Sequence, residues 1–470
     1  MNGERYLALR REYPVFEYVD YHWNTDGAGL RLCFDFRMGD VQFHPEALIE
    51  NRPFMSFADR ETIDRIVFEI GMVELVSYWK CACAPLVRVL CAPDDLDRGV
   101  FWKKLYWHGL GEFFYTNGIE TDQESFVKVE FACDRRHEAG MGATAAVATD
   151  GYLVPVGGGK DSVVSLELLR GAGWAVRPLI MNPRGATVGC AARAGFGLDE
   201  TVVIRRTIDR TLLDLNAAGY LNGHTPFSAM LAFYTMLASV LTGVRNVALS
   251  NEGSANEPTV LAAGAGEGSD GWQATVNHQY SKSLEFEDDF REYALRVLPR
   301  EKYNYFSFLR PLSELQIAML FSRCGDYHEV FRSCNVGSKE DVWCCHCAKC
   351  LFAYVILSPF LEPERMRAIF GRDLLDDRGL QGEMMQLCGL EATKPFECVG
   401  TVNEVRQALQ MADKRWYTQG RRPALMQVMK DQGVLDMRLE ETGLYTLPEV
   451  GNLTPAERKI LQEACTGSRN

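Results

Sequence analysis

The sequence predicts an α/β protein in which a parallel-sheet domain is flanked by an N-terminal α+β domain and a mainly helical C-terminal region. After Gly151, short apolar segments alternate with helical segments, which is typical of a parallel sheet wrapped by helices. Before that residue the hydrophobic periods are mixed, and after Pro359 they are mainly helical. Because 470 residues exceed what one hydrophobic core usually serves, we expect three domains, at residues 1–138, 139–358 and 359–470.

The N-terminal region combines strand and helix periodicity. Apolar and polar side chains alternate from Leu30 to Phe36 and again from Val127 to Phe131, as they do in half-buried strands. The apolar residues from Ile63 to Leu75 follow helical spacing instead. We interpret residues 1–138 as an α+β domain and a candidate for substrate recognition. An Ala- and Gly-rich connector at residues 139–149 follows it.

The central region supplies the alternating strands and helices. Its predicted strands are Tyr152–Val156, Val176–Ile180, Thr201–Ile204 and Val244–Ser250. Its predicted helices are Ser162–Arg170, Ile208–Ala218 and Phe227–Leu241. Parallel sheets of this kind bind their ligands at the carboxyl ends of the strands. The loops that follow these strands are therefore expected to carry the functional site.

Composition and charge disfavour several classes of protein. The net charge is −13 and no run of Lys or Arg interrupts the acidic background, which argues against a nucleic-acid partner. The N-terminus has neither the apolar segment nor the cleavage site of a secretory signal. The apolar stretch from Phe227 to Gly243 is short for a membrane span and contains hydroxyl residues, so we predict a buried helix and no membrane association. Fifteen cysteines without a signal peptide indicate a reducing cytoplasm, where thiols stay free or bind metal.

The strongest motif is Gly157-Gly158-Gly159-Lys160-Asp161-Ser162, between an apolar strand and the start of a helix. Glycines let the backbone approach an anion, and a helix N-terminus offers free N–H groups and the positive end of a dipole. Ser162 can donate to a phosphate, Lys160 adds a positive charge, and Asp161 can hold Mg²⁺. A Walker A loop is excluded, because Val154 stands where it requires Gly and Asp161 where it requires Ser or Thr. A tight turn without a ligand would need neither Asp161 nor Ser162, so we predict a phosphate site.

This motif resembles the pyrophosphatase loop of the PP-loop ATP enzymes, usually Ser-Gly-Gly-X-Asp-Ser, with Gly157 in place of the first Ser. The resemblance implies an adenine nucleotide α-hydrolase-like fold, with ATP and Mg²⁺ as cofactors and AMP and pyrophosphate as products. It also implies that the adenine lies near Met181 and Asn182, after the second strand of the domain. Further along, the segment from Arg310 to Leu315 resembles the one that opens a late helix in several members.

A cluster of cysteines follows that segment. Its members are Cys334, Cys344, Cys347 and Cys350, the last three in C-x2-C-x2-C spacing. This spacing lets the thiolates face one point, and a fourth thiolate completes a tetrahedral Zn²⁺ site. The arrangement resembles the structural zinc site of the queuosine-precursor synthases. Cys345 and His346 lie inside the run and leave the ligand register open. We predict structural zinc, with reduced buried cysteines or a catalytic thiol pair as alternatives.

Three polar segments lie beside the predicted strands and helices. They are Ser250–Glu257, Val276–Ser283 and Asn222–Pro226. His and Lys are good proton carriers and Glu can hold metal, so Glu252, His278 and Lys282 are candidate catalytic residues. Lys282 can equally serve to neutralise pyrophosphate. Thr225 and Ser283 are predicted to be helix caps.

The same segments carry a closer resemblance. Ser-Asn-Glu-Gly-Ser-Ala-Asn-Glu at 250–257, His-Gln-Tyr-Ser-Lys-Ser at 278–283 and Trp-Cys-Cys-His-Cys-Ala-Lys-Cys at 343–350 resemble the UDP-N-acetyl-α-D-muramoyl-L-alanyl-L-glutamate epimerases. The resemblance implies a small-molecule partner, UDP-MurNAc-L-Ala-L-Glu, whose terminal L-glutamate is inverted during peptidoglycan precursor synthesis. It implies ATP and Mg²⁺ as cofactors, and no pyridoxal phosphate.

The chemistry explains why such a reaction would consume ATP. The Cα–H bond beside a carboxylate is very weakly acidic, because the carbanion would stand next to an existing negative charge. An acyl adenylate removes that charge, so a base can take the proton on one face and an acid can return it on the other. Two alternatives stay open at this point. One is a PP-loop synthase or amidotransferase that activates another carboxylate, and the other is a zinc-stabilised nucleotide-binding module without turnover.

Overall fold

The computed structural model describes residues 2–94, 96–132, 149–257, 259–261, 275–391, 393–417, 420–439 and 443–467. The chain forms two compact units, each discontinuous in sequence. The first comprises Met1–Leu153, Val202–Val247 and Leu261–Tyr305. The second comprises Val154–Thr201, Ala248–Val260 and Phe306–Asn470. The predicted connector at 139–149 and the boundary at 138/139 lie outside the described residues, apart from Thr149.

The strands among the described residues are the following. They are β1 Val15–Asp26, β2 Gly29–Met38, β3 Val41–Phe43, β4 Glu46–Glu50, β5 Leu86–Val89, β6 Lys128–Phe131, β7 Thr149–Pro155, β8 Val176–Met181, β9 Val202–Thr207, β10 Val244–Leu249, β11 Val260–Leu261, β12 Thr275–Val276 and β13 Asn304–Ser307.

The α-helices in the same part of the chain are the following. They are α1 Asn2–Glu12, α2 Arg60–Trp79, α3 Gly99–Gly109, α4 Gly111–Thr116, α5 Lys160–Gly171, α6 Gly185–Arg193, α7 Arg210–Ala217, α8 Phe227–Thr242, α9 Leu284–Ala294, α10 Glu314–Ser322, α11 Ala348–Leu357, α12 Pro363–Phe370, α13 Gln381–Leu387, α14 Val402–Ala412, α15 Ala424–Asp431 and α16 Pro455–Thr466. The prediction of a mixed α/β protein is confirmed.

The first unit contains a sheet with the strand order β6-β5-β1-β2-β4-β9, and β3 pairs with β2. The long hairpin of β1 and β2 buries alternate aromatic side chains against α2, among them Tyr18 and Phe36. Tyr18 stacks on Phe68 of α2 with ring centroids 5.6 Å apart. Gly71 on the same helix makes this approach possible, because a Cβ there would lie 1.8 Å from the Tyr18 hydroxyl.

One predicted strand of the central region also has a partner that the sequence did not predict. β9 lies between β8 and β4 in the strand order, and it runs antiparallel to β4, with Ile204 opposite Ile49. A strand shows its periodicity in the sequence but not its partner, and β4 comes from a segment more than 150 residues earlier. The N-terminal strands therefore continue into residues assigned to the central domain.

In the second unit the strand ends meet the helices that follow them. The carboxyl-terminal residues of β7, β10 and β13 belong to this unit, together with all of β8. These strands neighbour one another in the order β13-β10-β7-β8, and β10 runs parallel to β7. Helices α5, α11 and α14 pack on α10, whose residues are almost all buried. The mainly helical character predicted after Pro359 is confirmed for the described residues.

The most apolar helix is a buried element of the first unit. α8 has most of its residues buried, as predicted from its sequence, and it packs on α2. Among the described helices, none combines the length and the apolar character that crossing a bilayer requires.

Candidate functional site

The glycine motif forms the turn from β7 into α5 in the second unit. The turn begins after Pro155, and α5 begins at Lys160 with Gly159 as its N-cap residue. No side chain caps this helix, so its first N–H groups are available to a ligand. The Ser162 hydroxyl donates to the Gly159 carbonyl at 3.1 Å. This geometry provides an anion-binding helix start directly after a strand of the sheet.

The three glycines differ in what surrounds them. Gly158 has φ +83°, and a Cβ there would lie 2.9 Å from the Ala186 Cβ and 3.1 Å from the Thr187 nitrogen of α6. A Cβ on Gly159 would lie 2.7 Å from the Ser333 hydroxyl. Gly157 is exposed and a Cβ there would meet nothing within 4 Å. The turn therefore requires glycine at 158, while position 157 has room for the Ser that the PP-loop pattern usually carries.

Lys160 lies in a buried ion-pair network rather than extending into solvent. Its ammonium group contacts the carboxylates of Asp161 and Glu314. Burial alone would lower the pKa of Lys160, but these two carboxylates raise it above its usual range, so the side chain stays protonated. Burial raises the pKa of Glu314, and the charge of Lys160 acts in the opposite direction and favours the carboxylate.

More carboxylates stand close to this pair. Asp161, Glu252 and Glu404 each raise the pKa of Glu314. Glu404 accepts the Glu314 backbone N–H at 2.7 Å and also caps α14. Glu252 is buried, accepts the Ser254 hydroxyl at 3.3 Å, and its carbonyl accepts from Arg310 at 2.9 Å. The second unit thus gathers an acidic cluster around one buried ammonium group.

The predicted adenine contacts lie at the end of β8. Met181 is the last residue of the strand and is half-buried, and Asn182 is exposed with φ +51°. The ends of β7 and β8 are in register, since the Val156 N–H donates to the Leu179 carbonyl at 2.8 Å. Met181 therefore ends the strand next to β7, and Asn182 begins the loop that follows it.

Sequence reasoning did not identify three residues that shape this site. Glu314 pairs with Lys160, Ser333 approaches Gly159, and the Arg332 backbone N–H donates to the Gly158 carbonyl at 2.8 Å. Glu314 had a signal, because it lies in the Arg310–Leu315 segment that resembled a helix opening. That segment does begin α10, with Ser313 in a capping box. Ser333 and Arg332 had none, because they lie in an irregular loop far along the chain.

The four predicted cysteines come together in the second unit. The sulfur atoms of Cys334, Cys344, Cys347 and Cys350 all lie within 4.8 Å of one another. The Cys344 and Cys350 sulfurs are 3.7 Å apart. Tetrahedral zinc with Zn–S bonds of about 2.3 Å places its sulfurs ~3.8 Å apart, so these residues fit that ion.

Backbone N–H groups surround the sulfur atoms. Gly337 donates to the Cys334 sulfur at 3.0 Å, and Cys350 donates to the Cys347 sulfur at 3.4 Å. Hydrogen bonds from the Cys350 side chain and backbone lower the pKa of Cys347 to about 5, which favours the thiolate that a metal ligand must supply. The other residues of the run face away: the Cys345 thiol donates to the Phe370 carbonyl at 3.2 Å, and the His346 ring contacts the Cys344 carbonyl.

The two remaining catalytic candidates belong to the first unit. His278 precedes a short 3₁₀ helix at Tyr280–Lys282; its side chain is buried, and that of Lys282 is half-buried. Tyr280 stacks on His108 with ring centroids 4.8 Å apart, which fixes the segment on α3. The prediction that Ser283 is a helix cap is confirmed, because its hydroxyl accepts the Phe286 N–H of α9.

The segment Asn222–Pro226 lies beside His278. The His224 and His278 rings are 6.4 Å apart between centroids and nearly perpendicular. The prediction that Thr225 caps α8 is wrong. Pro226 is the N-cap residue, and the Thr225 hydroxyl accepts a hydrogen bond from Lys80 at 2.6 Å. Lys80 lies at the end of α2, far from Thr225 in the sequence, so no local sequence pattern could predict this contact.

Comparisons with known proteins relate most of the chain to one family. Residues 8–308 match the family of MurL N-terminal domains, and residues 330–437 match that of MurL C-terminal domains. The chain is 38% identical to the UDP-N-acetyl-alpha-D-muramoyl-L-alanyl-L-glutamate epimerase of Salinispora tropica over 74% of this chain and 73% of the relative. It is 34% identical to the protein of the same name from Xanthomonas oryzae pv. oryzae over 86% and 87% of the two chains. A third relative of that name, from a Micromonospora species, is 37% identical over 74% and 75%. No solved structure matches the chain.

Proposed function

The chain belongs to the MurL family, and on this premise we propose that it inverts the terminal L-glutamate of UDP-MurNAc-L-Ala-L-Glu in an ATP- and Mg²⁺-dependent reaction. The observation that carries the proposal is the identity of 34%, over 86% of this chain, to the relative from Xanthomonas oryzae pv. oryzae, which is named as the epimerase of this substrate. The glycine turn supports the ATP requirement, because it presents the start of α5 as an anion site.

In this proposal the second unit binds the nucleotide. The N–H groups of residues 158–162 and the Ser162 hydroxyl hold the phosphates, and the loop at Met181 and Asn182 contacts the adenine. Asp161 and the nearby carboxylates hold Mg²⁺, which supplies charge neutralisation when bound. Lys160 is already protonated and exchanges part of its contact with Asp161 and Glu314 for contact with phosphate oxygens.

The proposed reaction has three steps. The glutamate carboxylate attacks the α-phosphate of ATP and releases pyrophosphate. A protein base then removes the Cα proton, the electron pair passes to the activated carbonyl, and an acid returns a proton to the opposite face. Water finally cleaves the adenylate to AMP and the D-epimer. His278 and Lys282 are the proton-transfer candidates, and Glu252 is assigned to the metal or to proton relay.

The cysteine cluster has a separate part in the proposal. Cys334, Cys344, Cys347 and Cys350 hold one structural Zn²⁺, which joins the loop after α10 to the start of α11. Four thiolates leave no open position on the ion, so the site contributes stability rather than chemistry.

The test uses purified full-length protein with ATP, Mg²⁺ and UDP-MurNAc-L-Ala-L-Glu. We expect AMP and pyrophosphate to form in step with D-glutamate, measured by chiral analysis after acid hydrolysis, and no AMP when the dipeptide substrate lacks its glutamate. Asp161→Asn and Ser162→Ala should abolish AMP formation while both variants still fold, as shown by a cooperative thermal transition. An amidotransferase would give a different result. It would form AMP without inverting the glutamate, and it would form an amide product when ammonia is added.

A further inference from the structure

A second cluster of titratable groups lies in the first unit, and it includes residues that the proposed function leaves unassigned. His224 Nδ1 lies 3.3 Å from a carboxylate oxygen of Glu112 on α4. Its other ring nitrogen, Nε2, is buried and has no hydrogen-bond partner within the described parts of the chain. A buried ring nitrogen without a partner is costly in a folded protein, so such an atom is a candidate for contact with a ligand.

The loop that carries His224 is fixed on both sides. The Lys80 ammonium donates to the carbonyls of Gly223 and His224 as well as to Thr225. Asn117, at the end of α4, donates to the Asn222 carbonyl at 3.1 Å. These contacts hold the backbone of the loop through groups other than the imidazole ring.

Helix α4 also positions the segment that carries His278. A Cβ on Gly111, at the start of α4, would lie 3.2 Å from the Val276 side chain of β12. The same short helix thus contacts both histidine segments and supplies the carboxylate. The result is two imidazole rings with centroids 6.4 Å apart. Two reacting nitrogens on opposite faces of one carbon, each about 3–3.5 Å from it, would lie ~6–7 Å apart, which is of the same order as the separation of these centroids.

Burial and nearby charges keep the His224 ring neutral near pH 7. Burial is the larger cause, and His278, Lys80 and Lys282 act in the same direction, so that the pKa of His224 is lowered to about 4. Glu112 is the carboxylate that faces the ring and stabilises it when it is charged. A neutral imidazole such as that of His224 can accept a proton from a substrate carbon. One neutral and one protonated ring is the state that inversion by two groups requires.

We propose that His224, oriented by Glu112, and His278 form the pair that exchanges the Cα proton of the activated glutamate. This inference rests on the proposed epimerisation and names both members of its acid–base pair. One ring takes the Cα proton while the C–H electron pair moves to the activated carbonyl, and the other ring gives its proton to the opposite face. The number of protons on the pair is unchanged by the step, and solvent restores the starting distribution. Glu112 is a positioning residue, and Lys282 is left to neutralise the pyrophosphate charge.

The experiment separates proton transfer from adenylation. Full-length His224→Gln and His278→Gln variants are incubated in D₂O with ATP, Mg²⁺ and either the L- or the D-glutamate epimer of the substrate. AMP release and deuterium at Cα are measured for each. We expect AMP release within about threefold of the unmodified protein in both variants. Loss of inversion should reach about 100-fold or more, the usual effect of a general acid or base. Each variant should still exchange deuterium into one epimer, and the two variants should retain opposite epimers.

His44 provides a matched control. It is an exposed histidine of the same unit whose Nδ1 lies 2.6 Å from Asp35, so His44→Gln removes a similar histidine–carboxylate pair without touching the cluster. Its inversion rate should match that of the unmodified protein. Glu112→Gln should lower kcat about tenfold with an unchanged KM for ATP, and should move the acidic limb of the kcat–pH profile to lower pH.

Several outcomes would overturn the inference. The pair does not act as acid and base if the His224→Gln variant inverts glutamate at the normal rate. The same conclusion follows if either variant loses deuterium exchange equally into both epimers. It also follows if AMP release is lost together with inversion. Failure of the proposed function looks different, because the unmodified protein would then form no AMP with the dipeptide substrate.

Discussion

Gly158→Ala is expected to destabilise the second unit strongly, whereas Gly157→Ala, one residue earlier, is expected not to. Gly158 has φ +83°, a conformation that costs a residue with a Cβ about 1–2 kcal/mol. The new methyl group would also lie 2.9 Å from the Ala186 Cβ and 3.0 Å from its carbonyl carbon. Overpacking of this kind costs about 1–3 kcal/mol, so the total is about 2–5 kcal/mol.

Gly157 experiences neither effect. A Cβ there would have no neighbour within 4 Å, and its φ lies outside the left-handed region. Replacing it by Ala restricts the unfolded chain and should raise the free energy of unfolding by about 0.4–1 kcal/mol. The two variants add the same atom to adjacent residues of the same loop, so they differ only in backbone conformation and surroundings.

The measurement is urea and thermal unfolding of both variants beside the unmodified protein, with AMP formation recorded on the same samples. A midpoint for Gly158→Ala equal to that of Gly157→Ala would refute the reasoning. It would mean that the turn after β7 does not hold Gly158 against the start of α6, and the anion-binding geometry derived from that turn would fall with it.

Three further changes test the sites separately. Protein purified without added metal should contain one Zn²⁺ per chain by elemental analysis. The Cys347→Ser variant should lose this ion and unfold at a lower temperature. The Cys345→Ser variant should keep the ion, because the Cys345 thiol faces away from the cluster. Glu314→Gln removes one of the two carboxylates that contact the buried ammonium group of Lys160. It should lower the free energy of unfolding, measured by urea denaturation, by up to about 3 kcal/mol. An unchanged midpoint would show that the pair is not buried in solution. The pKa of His224 is lowered from 6.5 to about 4, so between these values the unfolded chain binds a proton that the folded chain excludes. The free energy of unfolding should therefore fall by at most about 3 kcal/mol as the pH drops through this window. The His224→Gln variant should lack this part of the pH dependence. Identical profiles of stability against pH for the variant and the unmodified protein would contradict the prediction.

Periodicity and short motifs predicted the local structure well. The alternation at Leu30–Phe36 lies within β2, the helical spacing at Ile63–Leu75 lies within α2, and the apolar stretch from Phe227 became α8. Each of these patterns reports on a single element, since it arises from which face of that element is buried. Such a pattern does not name the partner of a strand. β9 showed strand character, but its antiparallel pairing with β4 depends on a segment that is distant in sequence.

The family and the candidate residues of the glycine loop and cysteine cluster followed from the sequence alone, because residue type and spacing define them. The tertiary structure decided which other groups surround them. Glu314 reaches Lys160 only because α10 packs on α5, and the Cys345 thiol faces Phe370 only because the backbone turns to φ +59° at that residue. The pairing of His224 with Glu112 and its proximity to His278 arise in the same way, because α4 contacts two segments that are more than 50 residues apart. Sequence spacing fixes distances along one element, whereas the distances between elements follow from how their buried faces pack.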